Sequence, residues 1–590
     1  MDRLKHLLLL VALLSLQQEI IAQNSTNSVP DLFTIDKKIN ESIFINTNAN
    51  TFITGESLHY KLYCLNQKNN TPSKNSKIAY VELINTDKKS VFTHKLFLEN
   101  GVGNGDFFIP TTLESGSYKL IGYTSWMLNQ SKPDFFNIDI FVINPFQKNK
   151  EVTGLNAVEN NSDQMQKPIE EITVATSDKK SVTIDLSKKT YTNREQVNVK
   201  LKYNSAEKIS GNYTLSVKKL DELELKKQQN SIGFVTSKKE INDSKYETNS
   251  ADFILPELRG EIISGRVISK LNGNNIENKN ISLSIPGESY TFKICKTDKT
   301  GRFSFNLENL NTNPNITIQI IDNDKENYSI EMAKPKPIDY SSLIFSNSIS
   351  IGTELIKTVE ERAIASQIEN AYYAKKKDSL LAMSHLRTFY NSHAKEYILD
   401  DYTRFPTLKE TIIEIVDGLY YKFENNKYTL HLKDYDENKE LTIPSLVIVD
   451  GLIIQDVTKL FEYKIDNVYK MDVVKGGYCY GSKLFNGVIA FTTKKFDYEN
   501  NLKGDFIINP DIMRPLGKKE YFQPDYITTK DSRIPDYRHQ LLWLPDITLN
   551  NEESNFTFYT SDVKGTFQMT LEGFTSEGKP IHVNEVFEVN

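Results

Sequence analysis

The chain has 590 residues, a formal net charge of −6 and a mean hydropathy of −0.45. A chain of this length is too long to fold around a single hydrophobic core, and its length predicts about four to five domains. Because the 71 basic and 77 acidic residues are interleaved, no basic face stands out, and we expect no nucleic-acid partner.

The N-terminus has the pattern of a secretory signal peptide over residues 1–22. Arg3 and Lys5 precede an apolar run over 7–16, and polar residues then lead to Ala22, after which we expect cleavage. The run is too short to cross the roughly 30 Å hydrocarbon core of a bilayer, and no later segment is long and apolar enough for a membrane helix. We therefore expect an exported chain in the periplasm or associated with the outer membrane, with the cell surface as an alternative. No cysteine stands at the cleavage point, so no lipid anchor is expected.

Residues 41–146 alternate short apolar and polar runs between turn residues, which predicts the strands of a β-sandwich. Among these runs are Ile43-Phe44-Ile45-Asn46-Thr47, Phe52-Ile53-Thr54-Gly55-Glu56, Gly105-Asp106-Phe107-Phe108-Ile109-Pro110 and Gly116-Ser117-Tyr118. With these runs the region resembles the MG2-type macroglobulin domain, and the resemblance implies two packed sheets. Residues 147–172 have few apolar side chains, so a linker is expected there.

A second β-sandwich is predicted over 173–222. Three segments there, at 181–186, 197–201 and 213–217, alternate apolar and polar residues with a period of two. Residues 223–254 are rich in charge and poor in apolar side chains, and we expect a charged loop over that stretch.

A third sandwich is predicted over 255–334, which contains two motifs, Gly260-Glu261-Ile262-Ile263-Ser264-Gly265-Arg266-Val267 and Thr297-Asp298-Lys299-Thr300-Gly301-Arg302-Phe303-Ser304-Phe305. The Asp and Gly of the second motif are typical of a hairpin turn, and its phenylalanines return to the core. Both motifs are similar to those of the carboxypeptidase regulatory-like domain. The resemblance implies a folding or interaction module and not the peptidase itself.

Residues 335–400 are predicted to be a helical spacer or a docking element. Apolar residues such as Leu355, Val359 and Leu386 recur at three- and four-residue spacing between 352 and 390, and a shorter helix is expected over 408–416. A coiled coil is the alternative, but sustained heptads are absent.

Residues 401–500 contain the motifs Leu446-Val447-Ile448-Val449-Asp450-Gly451, Asp472-Val473-Val474-Lys475-Gly476, Tyr480-Gly481-Ser482, Asn486-Gly487-Val488-Ile489 and Thr492-Thr493-Lys494-Lys495. With these motifs the region resembles the plug domain of TonB-dependent outer-membrane receptors. Only residues 496–590 follow the last motif, which is too little chain for a transmembrane barrel with many strands. We therefore interpret this α+β region as a plug-like fold used for packing or recognition, and we expect a last β-sandwich over 501–590.

No residue set in the sequence is typical of catalysis, and no metal or cofactor site is assigned. Among the eight histidines, His385 and His393 could approach each other on a helix, but at this spacing they are more typical of solvated surface groups. The internal thioester motif Cys-Gly-Glu-Gln of thioester-containing macroglobulins is absent.

The three cysteines are widely separated in the sequence, which excludes a disulfide framework and favours buried thiols. A reactive Cys479 would need Lys475 or Lys483 to lower the pKa of its thiol, so we prefer a structural thiol. The pair Asp536 and Arg538, beside Trp543, is interpreted as a structural salt bridge at a domain junction. The cysteines are Cys64, Cys295 and Cys479.

The sequence thus predicts a mainly β, multi-domain protein: tandem β-sandwiches, a short helical segment, a plug-like α+β domain and a C-terminal sandwich. The combination resembles exported multidomain proteins of Bacteroidota. It favours a non-enzymatic envelope scaffold that contacts protein partners, among them an outer-membrane β-barrel protein or transport machine. The alternative hypothesis is a macroglobulin-like proteinase inhibitor without a thioester.

Overall fold

The computed structural model describes most of the chain from residue 40 onward and is mainly β, with several domains, as predicted. The predicted signal peptide lies outside the described residues, and so does the predicted linker from 148 onward. No helix in the described part of the chain is long and apolar enough to cross a membrane. The described residues are 40–130, 135–147, 181–203, 208–223, 228–237, 254–271, 273–346, 353–382, 388–390, 393–433, 443–498, 503–528, 533–550 and 553–590.

The N-terminal sandwich packs a three-stranded sheet, in the order β1-β3-β6, against a five-stranded sheet, in the order β2-β8-β7-β4-β5. The inward side chains of both sheets form one apolar core. Gly55 makes the turn between β2 and β3 at a φ of 97°, where a side chain would be strained. The strands are β1 (Glu41–Thr47), β2 (Thr51–Ile53), β3 (Ser57–Asn66), β4 (Ile78–Ile84), β5 (Ser90–Phe97), β6 (Val102–Phe108), β7 (Gly116–Tyr123) and β8 (Phe136–Ile143).

The next four strands supply only part of a second sandwich. They are β9 (Val182–Leu186), β10 (Thr190–Tyr191), β11 (Gln196–Tyr203) and β12 (Gly211–Lys219). β9 and β11 belong to one sheet, and β10 and β12 belong to the other. The predicted charged loop at 223–254 also contains a short helix, α1 (Ser231–Thr236), which starts at the cap residue Asn230. Its Phe234 packs on Phe44 and Phe574, which explains why a polar stretch is ordered here.

The third sandwich has two sheets, in the orders β16-β13-β18 and β15-β14-β17-β27. The predicted turn is present: Asp298 Oδ1 accepts hydrogen bonds from the main-chain N–H groups of Thr300 and Arg302, at 2.8 and 2.9 Å. Gly301 takes a φ of 77° in that turn. The strands are β13 (Glu261–Ser269), β14 (Asn280–Ile285), β15 (Thr291–Lys296), β16 (Arg302–Leu307), β17 (Thr317–Ile320) and β18 (Tyr328–Met332), and β27 (Ile507–Ile508) joins from later in the chain.

The main helix, α2 (Thr353–Ala371), is shorter than the periodic pattern over 352–390 predicts. After it the chain bends, because Lys376 Nζ returns to Glu369 Oε2 at 2.7 Å and the strand β19 (Ser379–Leu380) pairs with β28 (Lys519–Glu520). The helix is not a spacer between domains. Its apolar face lies against the N-terminal sandwich and against Leu223, which follows β12.

The plug-like region forms a mixed five-stranded sheet, in the order β20-β25-β26-β23-β24, and a separate hairpin of β21 and β22. The predicted spacer boundary at 400 is wrong, because β20 lies before it and pairs with β25. The second predicted helix is present as α3 (Leu408–Glu414). The strands are β20 (Lys395–Ile398), β21 (Leu419–Glu424), β22 (Lys427–Leu432), β23 (Leu446–Val449), β24 (Leu452–Ile453), β25 (Val468–Tyr480) and β26 (Lys483–Thr493).

The last four strands complete the second sandwich and do not form a domain of their own. They give the sheets β10-β32-β31-β12-β29 and β30-β11-β9. The predictions of separate sandwiches at 173–222 and 501–590 are therefore corrected to one sandwich, divided in sequence. Four strands alone bury too little apolar surface for a stable core, and the returning strands supply the rest. They are β29 (Gln540–Leu549), β30 (Ser554–Tyr559), β31 (Gly565–Thr575) and β32 (Pro580–Val589).

Charged side chains join the parts of the molecule. Arg362 of α2 donates to both carboxylate oxygens of Glu56, at 2.9 and 2.6 Å, and to Asp221 at 3.2 Å. This triad connects the helix to the N-terminal sandwich and to the end of β12. Lys95 of the N-terminal sandwich pairs with Glu261 of the third sandwich at 2.9 Å. Both contacts are largely shielded from solvent, so replacing Glu261 would leave the charge of Lys95 buried without its ion-pair partner.

A pair of valines on β32 tests whether the returning strands belong to the second core. Val583 is 2% exposed inside that core, whereas Val586 of the same strand is 47% exposed. We expect Val583→Ala to lower the free energy of unfolding by about 2 kcal/mol. The matched control, Val586→Ala, should change it by less than about 0.5 kcal/mol. Urea titration measures both values, and equal effects would contradict the assignment of β32 to this core.

Candidate binding surface

Of the two histidines considered for metal binding, only His393 lies within the described residues. In the described part of the chain there is no cluster of three or more histidine, cysteine or acidic side chains that could hold a metal ion. His385 lies outside the described residues, so the structure does not describe its distance from His393. Two other histidines, His59 and His94, are half-buried where the N-terminal sandwich meets neighbouring segments.

Cys479 is exposed on β25, and the two lysines considered as its activators have other partners. Lys475 Nζ lies 2.8 Å from Asp417 Oδ2, and Lys483 Nζ donates to the main-chain oxygen of Ile321 at 2.7 Å. Cys64 is buried in the N-terminal sandwich, where burial raises the pKa of its thiol. The buried Cys64 thiol is therefore held in its neutral form, as expected of a structural cysteine.

Asp536 and Arg538 form a buried ion pair at the edge of the second sandwich. Arg538 donates from Nε and from one terminal nitrogen to the two carboxylate oxygens of Asp536, each at 2.8 Å. Burial opposes ionisation of Asp536, yet Arg538 holds the pKa of this carboxyl below its usual range. Trp543 lies elsewhere, stacked on His59 with ring centroids 5.8 Å apart.

An open groove of about 590 Å³ lies between the C-terminal end of α2 and the second sandwich. Arg194 stands in its wall, but its guanidinium is bound to both carboxylate oxygens of Asp562 at 2.6 Å. Tyr372, Tyr537 and Arg533 are exposed around the opening. The groove offers few polar groups that are not already engaged, so it gives little basis for a ligand assignment.

The hairpin of β21 and β22 carries the most distinctive surface of the plug-like domain. Its turn, Asn425-Asn426, has φ values of 50° and 59°, which is the type I′ geometry that matches the twist of two antiparallel strands. The register pairs Glu424 with Lys427 and Phe423 with Tyr428. Asparagine tolerates positive φ better than other side chains, which explains why this short sequence closes a tight turn.

One face of the hairpin bears a row of aromatic rings that continues onto the neighbouring segment. Phe423 contacts Tyr428 with centroids 4.4 Å apart, and Tyr428 stacks on Phe461 at 4.2 Å. Tyr421 meets Phe461 edge to face at 5.4 Å. We call these four residues the aromatic surface. Lys409 of α3 lies over the Tyr428 ring at 4.9 Å, so a cation flanks the row.

The aromatic surface is open to solvent at its outer end. Phe423 is 54% exposed, Tyr421 and Tyr428 are half-buried, and Leu430 at the base is buried in the domain core. Rings that are rigidly held and partly exposed are typical anchors of protein interfaces, because little side-chain entropy is lost on binding. The surface therefore combines ring contacts with partial exposure, the features that interface anchors share.

The sequence motifs did not predict this surface. The plug resemblance rests on segments after 446, whereas the hairpin lies before them. A signal was present, since Tyr-Tyr-Lys-Phe and Tyr-Thr-Leu-His-Leu flank an Asn-Asn pair that is typical of a tight hairpin. Composition could not reveal that Phe423 is exposed, because aromatic residues in β-rich proteins mostly enter cores.

Comparisons with known proteins find folds only. No protein-family model and no curated protein matches the chain. Similar solved structures include Salmonella alpha-2-macroglobulin mutant Y1175G, at 10% identity and a TM-score of 0.23, covering 93% of this chain and 39% of that one. Escherichia coli alpha-2-macroglobulin activated by porcine elastase has 9% identity and a TM-score of 0.23, with 93% and 44% covered. A Listeria innocua beta-glucosidase matches 17% of this chain and 16% of its own, at 14% identity and a TM-score of 0.12.

This chain spans less than half the length of those macroglobulins. Similarities with TM-scores this low carry no argument about this chain.

The junction around His59 gives a pH-dependent prediction. Its ring meets Tyr521 at 4.8 Å, and burial lowers its pKa to about 4, opposed by Asp106 and assisted by Lys519. The unfolded state takes up a proton near pH 6.5 and the folded state only near pH 4, so acidification through this window favours unfolding. As the pH falls from 6.5 to 4, we expect protonation of His59 to lower the free energy of unfolding by at most about 3 kcal/mol.

The comparison of wild type with His59→Phe isolates this effect, because every other group titrates in both proteins. Urea titrations at pH 7.5, 5.5 and 4.5 should show a smaller loss of stability on acidification for the variant. Parallel curves for the two proteins would show that His59 is not a buried neutral group.

Proposed function

We propose that this chain is a non-enzymatic interaction protein of the bacterial envelope, which binds a protein partner through the aromatic surface of its plug-like domain. The observation that carries the proposal is the row of ring contacts at Tyr421, Phe423, Tyr428 and Phe461, which is open to solvent at Phe423. An outer-membrane β-barrel protein or transport machine is the partner we favour, because the signal-peptide pattern directs the chain to that compartment and the 401–500 region resembles a receptor plug.

The way the domains are joined supports a scaffold. The hairpin belongs to a domain that packs on the third sandwich, where Tyr290 donates to Tyr390 at 3.2 Å and Gln319 Nε2 donates to the main-chain oxygen of Ile453 at 3.1 Å. The third sandwich is in turn tied to the N-terminal sandwich by Lys95 and Glu261. A binding surface on domains that are joined in this way loses little conformational entropy when it binds a partner.

The test is affinity purification of the tagged, full-length protein from detergent-solubilised envelopes, comparing wild type with Phe423→Ala/Tyr428→Ala. We expect the double variant to recover at least about tenfold less partner, because truncation of central aromatic anchors usually costs that much affinity. The control is Phe146→Ala/Tyr373→Ala, which removes one phenylalanine and one tyrosine that are exposed elsewhere.

The control variant should recover the partner as wild type does. Thermal melts establish that both variants remain folded. A partner that the hairpin variant retains in full would place the interaction on another surface and refute the assignment.

A macroglobulin-like proteinase inhibitor is the second candidate. It is favoured by the N-terminal region, where the two packed sheets expected of such a domain are present. Incubation with a panel of proteases at equal molar amounts separates the two functions. Lasting inhibition of a protease, unchanged by the hairpin substitutions, would favour the inhibitor.

A further inference from the structure

We infer that the partner binds by strand addition: an extended segment of another protein pairs with the outer edge of β21. This inference rests on the proposed function and specifies its binding mode. It commits to a foreign segment in which apolar or aromatic residues alternate with charged ones.

The hydrogen-bonding pattern of the hairpin determines which main-chain groups face outward. In a hairpin closed by a two-residue turn, the residues beside the turn, Glu424 and Lys427, form a hydrogen-bonded pair. The pairs then alternate, so Phe423 with Tyr428 and Tyr421 with Leu430 are not hydrogen-bonded to each other. The N–H and C=O groups of Tyr421 and Phe423 therefore point away from β22.

The two outer edges of the hairpin differ. On the β22 side the N–H of Tyr428 donates to Thr458 Oγ1 at 3.2 Å, and Asn486 Nδ2 donates to the main-chain oxygen of Leu432 at 3.3 Å. On the β21 side, the main-chain groups of Tyr421 and Phe423 have no hydrogen-bond partner among the described residues. β21 is thus the edge that can accept a third strand.

The side chains of β21 define what such a strand should look like. Tyr421 and Phe423 lie on the face of the aromatic surface, while Lys422 and Glu424 lie on the opposite, exposed face. Cross-strand neighbours favour apolar residues beside the rings and a basic residue beside Glu424. An added strand with period-two alternation meets both requirements at once.

Two substitutions at one position separate strand pairing from ring contact. Phe423→Ala removes the ring and keeps the outward N–H. Phe423→Pro removes the same ring and the N–H, without taking a hydrogen bond from the hairpin itself, since proline is tolerated at outward positions of edge strands. Any difference in affinity between the two variants therefore measures the contribution of the main-chain N–H at the outer edge of β21.

The probe is a displayed library of random decapeptides, selected on the full-length protein and then synthesised for titration. We expect enriched sequences to alternate apolar and charged residues, and we expect the proline variant to bind them up to about tenfold more weakly than the alanine variant. Hydrogen exchange on the wild-type protein with bound peptide should slow in 419–424 and stay unchanged in 427–432. This measurement does not depend on how well a variant folds.

Equal binding to the alanine and proline variants, or peptide binding without slower exchange in 419–424, would overturn strand addition. A library that yields no peptide dependent on Phe423 would also overturn it. Self-association of the chain that Phe423→Pro abolishes would put a second copy at this edge in place of a foreign segment. Loss of envelope capture in Phe423→Ala/Tyr428→Ala, together with equal peptide binding by the two single variants, would leave the proposed function standing without this mode.

Discussion

The main-chain hydrogen bonds on both sides of β12 hold the two parts of the second sandwich together. β12 pairs with β31 along Gly211 to Lys219, and its other edge pairs with β29 from the same C-terminal region. Neither sheet of the second sandwich is complete without strands from both parts of the sequence. Residues 220–539 are therefore an insertion between β12 and β29 of this sandwich. Because β12 and β29 are paired, the two ends of the insertion must lie close together.

The inserted domains are held by contacts that follow from this closure. α2 packs against the N-terminal sandwich next to the end of β12, and Arg362 binds carboxylates from both sides. The segment after the plug-like domain then crosses back over the molecule: Ile507–Ile508 extends the third sandwich, and Lys519 binds Asp106 of the N-terminal sandwich at 2.8 Å. Ionic pairs of this kind contribute modest net stability, but they discriminate strongly against misplaced partners. The hairpin at 419–432 belongs to one of the domains that these contacts hold in place.

Local patterns in the sequence predicted much of the fold, and non-local pairing accounts for most of what they missed. Period-two alternation found the strands of the N-terminal and third sandwiches, and the Asp298 turn formed as its residues indicate. Alternation cannot tell which strands pair, so the halves of the second sandwich looked like two domains. Helical periodicity over 352–390 was overridden after Ala371 by the Lys376 ion pairs and the pairing of β19 with β28. The aromatic surface escaped prediction because exposure of Phe423 depends on the rest of the domain.

The central claim, that the C-terminal strands complete a sandwich begun near residue 181, is tested most directly by hydrogen exchange in β12. The full-length protein is compared with a chain that ends at residue 528 and so lacks β29 to β32. Strong protection of 211–219 in the full chain and fast exchange of the same residues in the shortened chain would support the account. Equal protection in both would show that 181–219 folds without the returning strands and would contradict it.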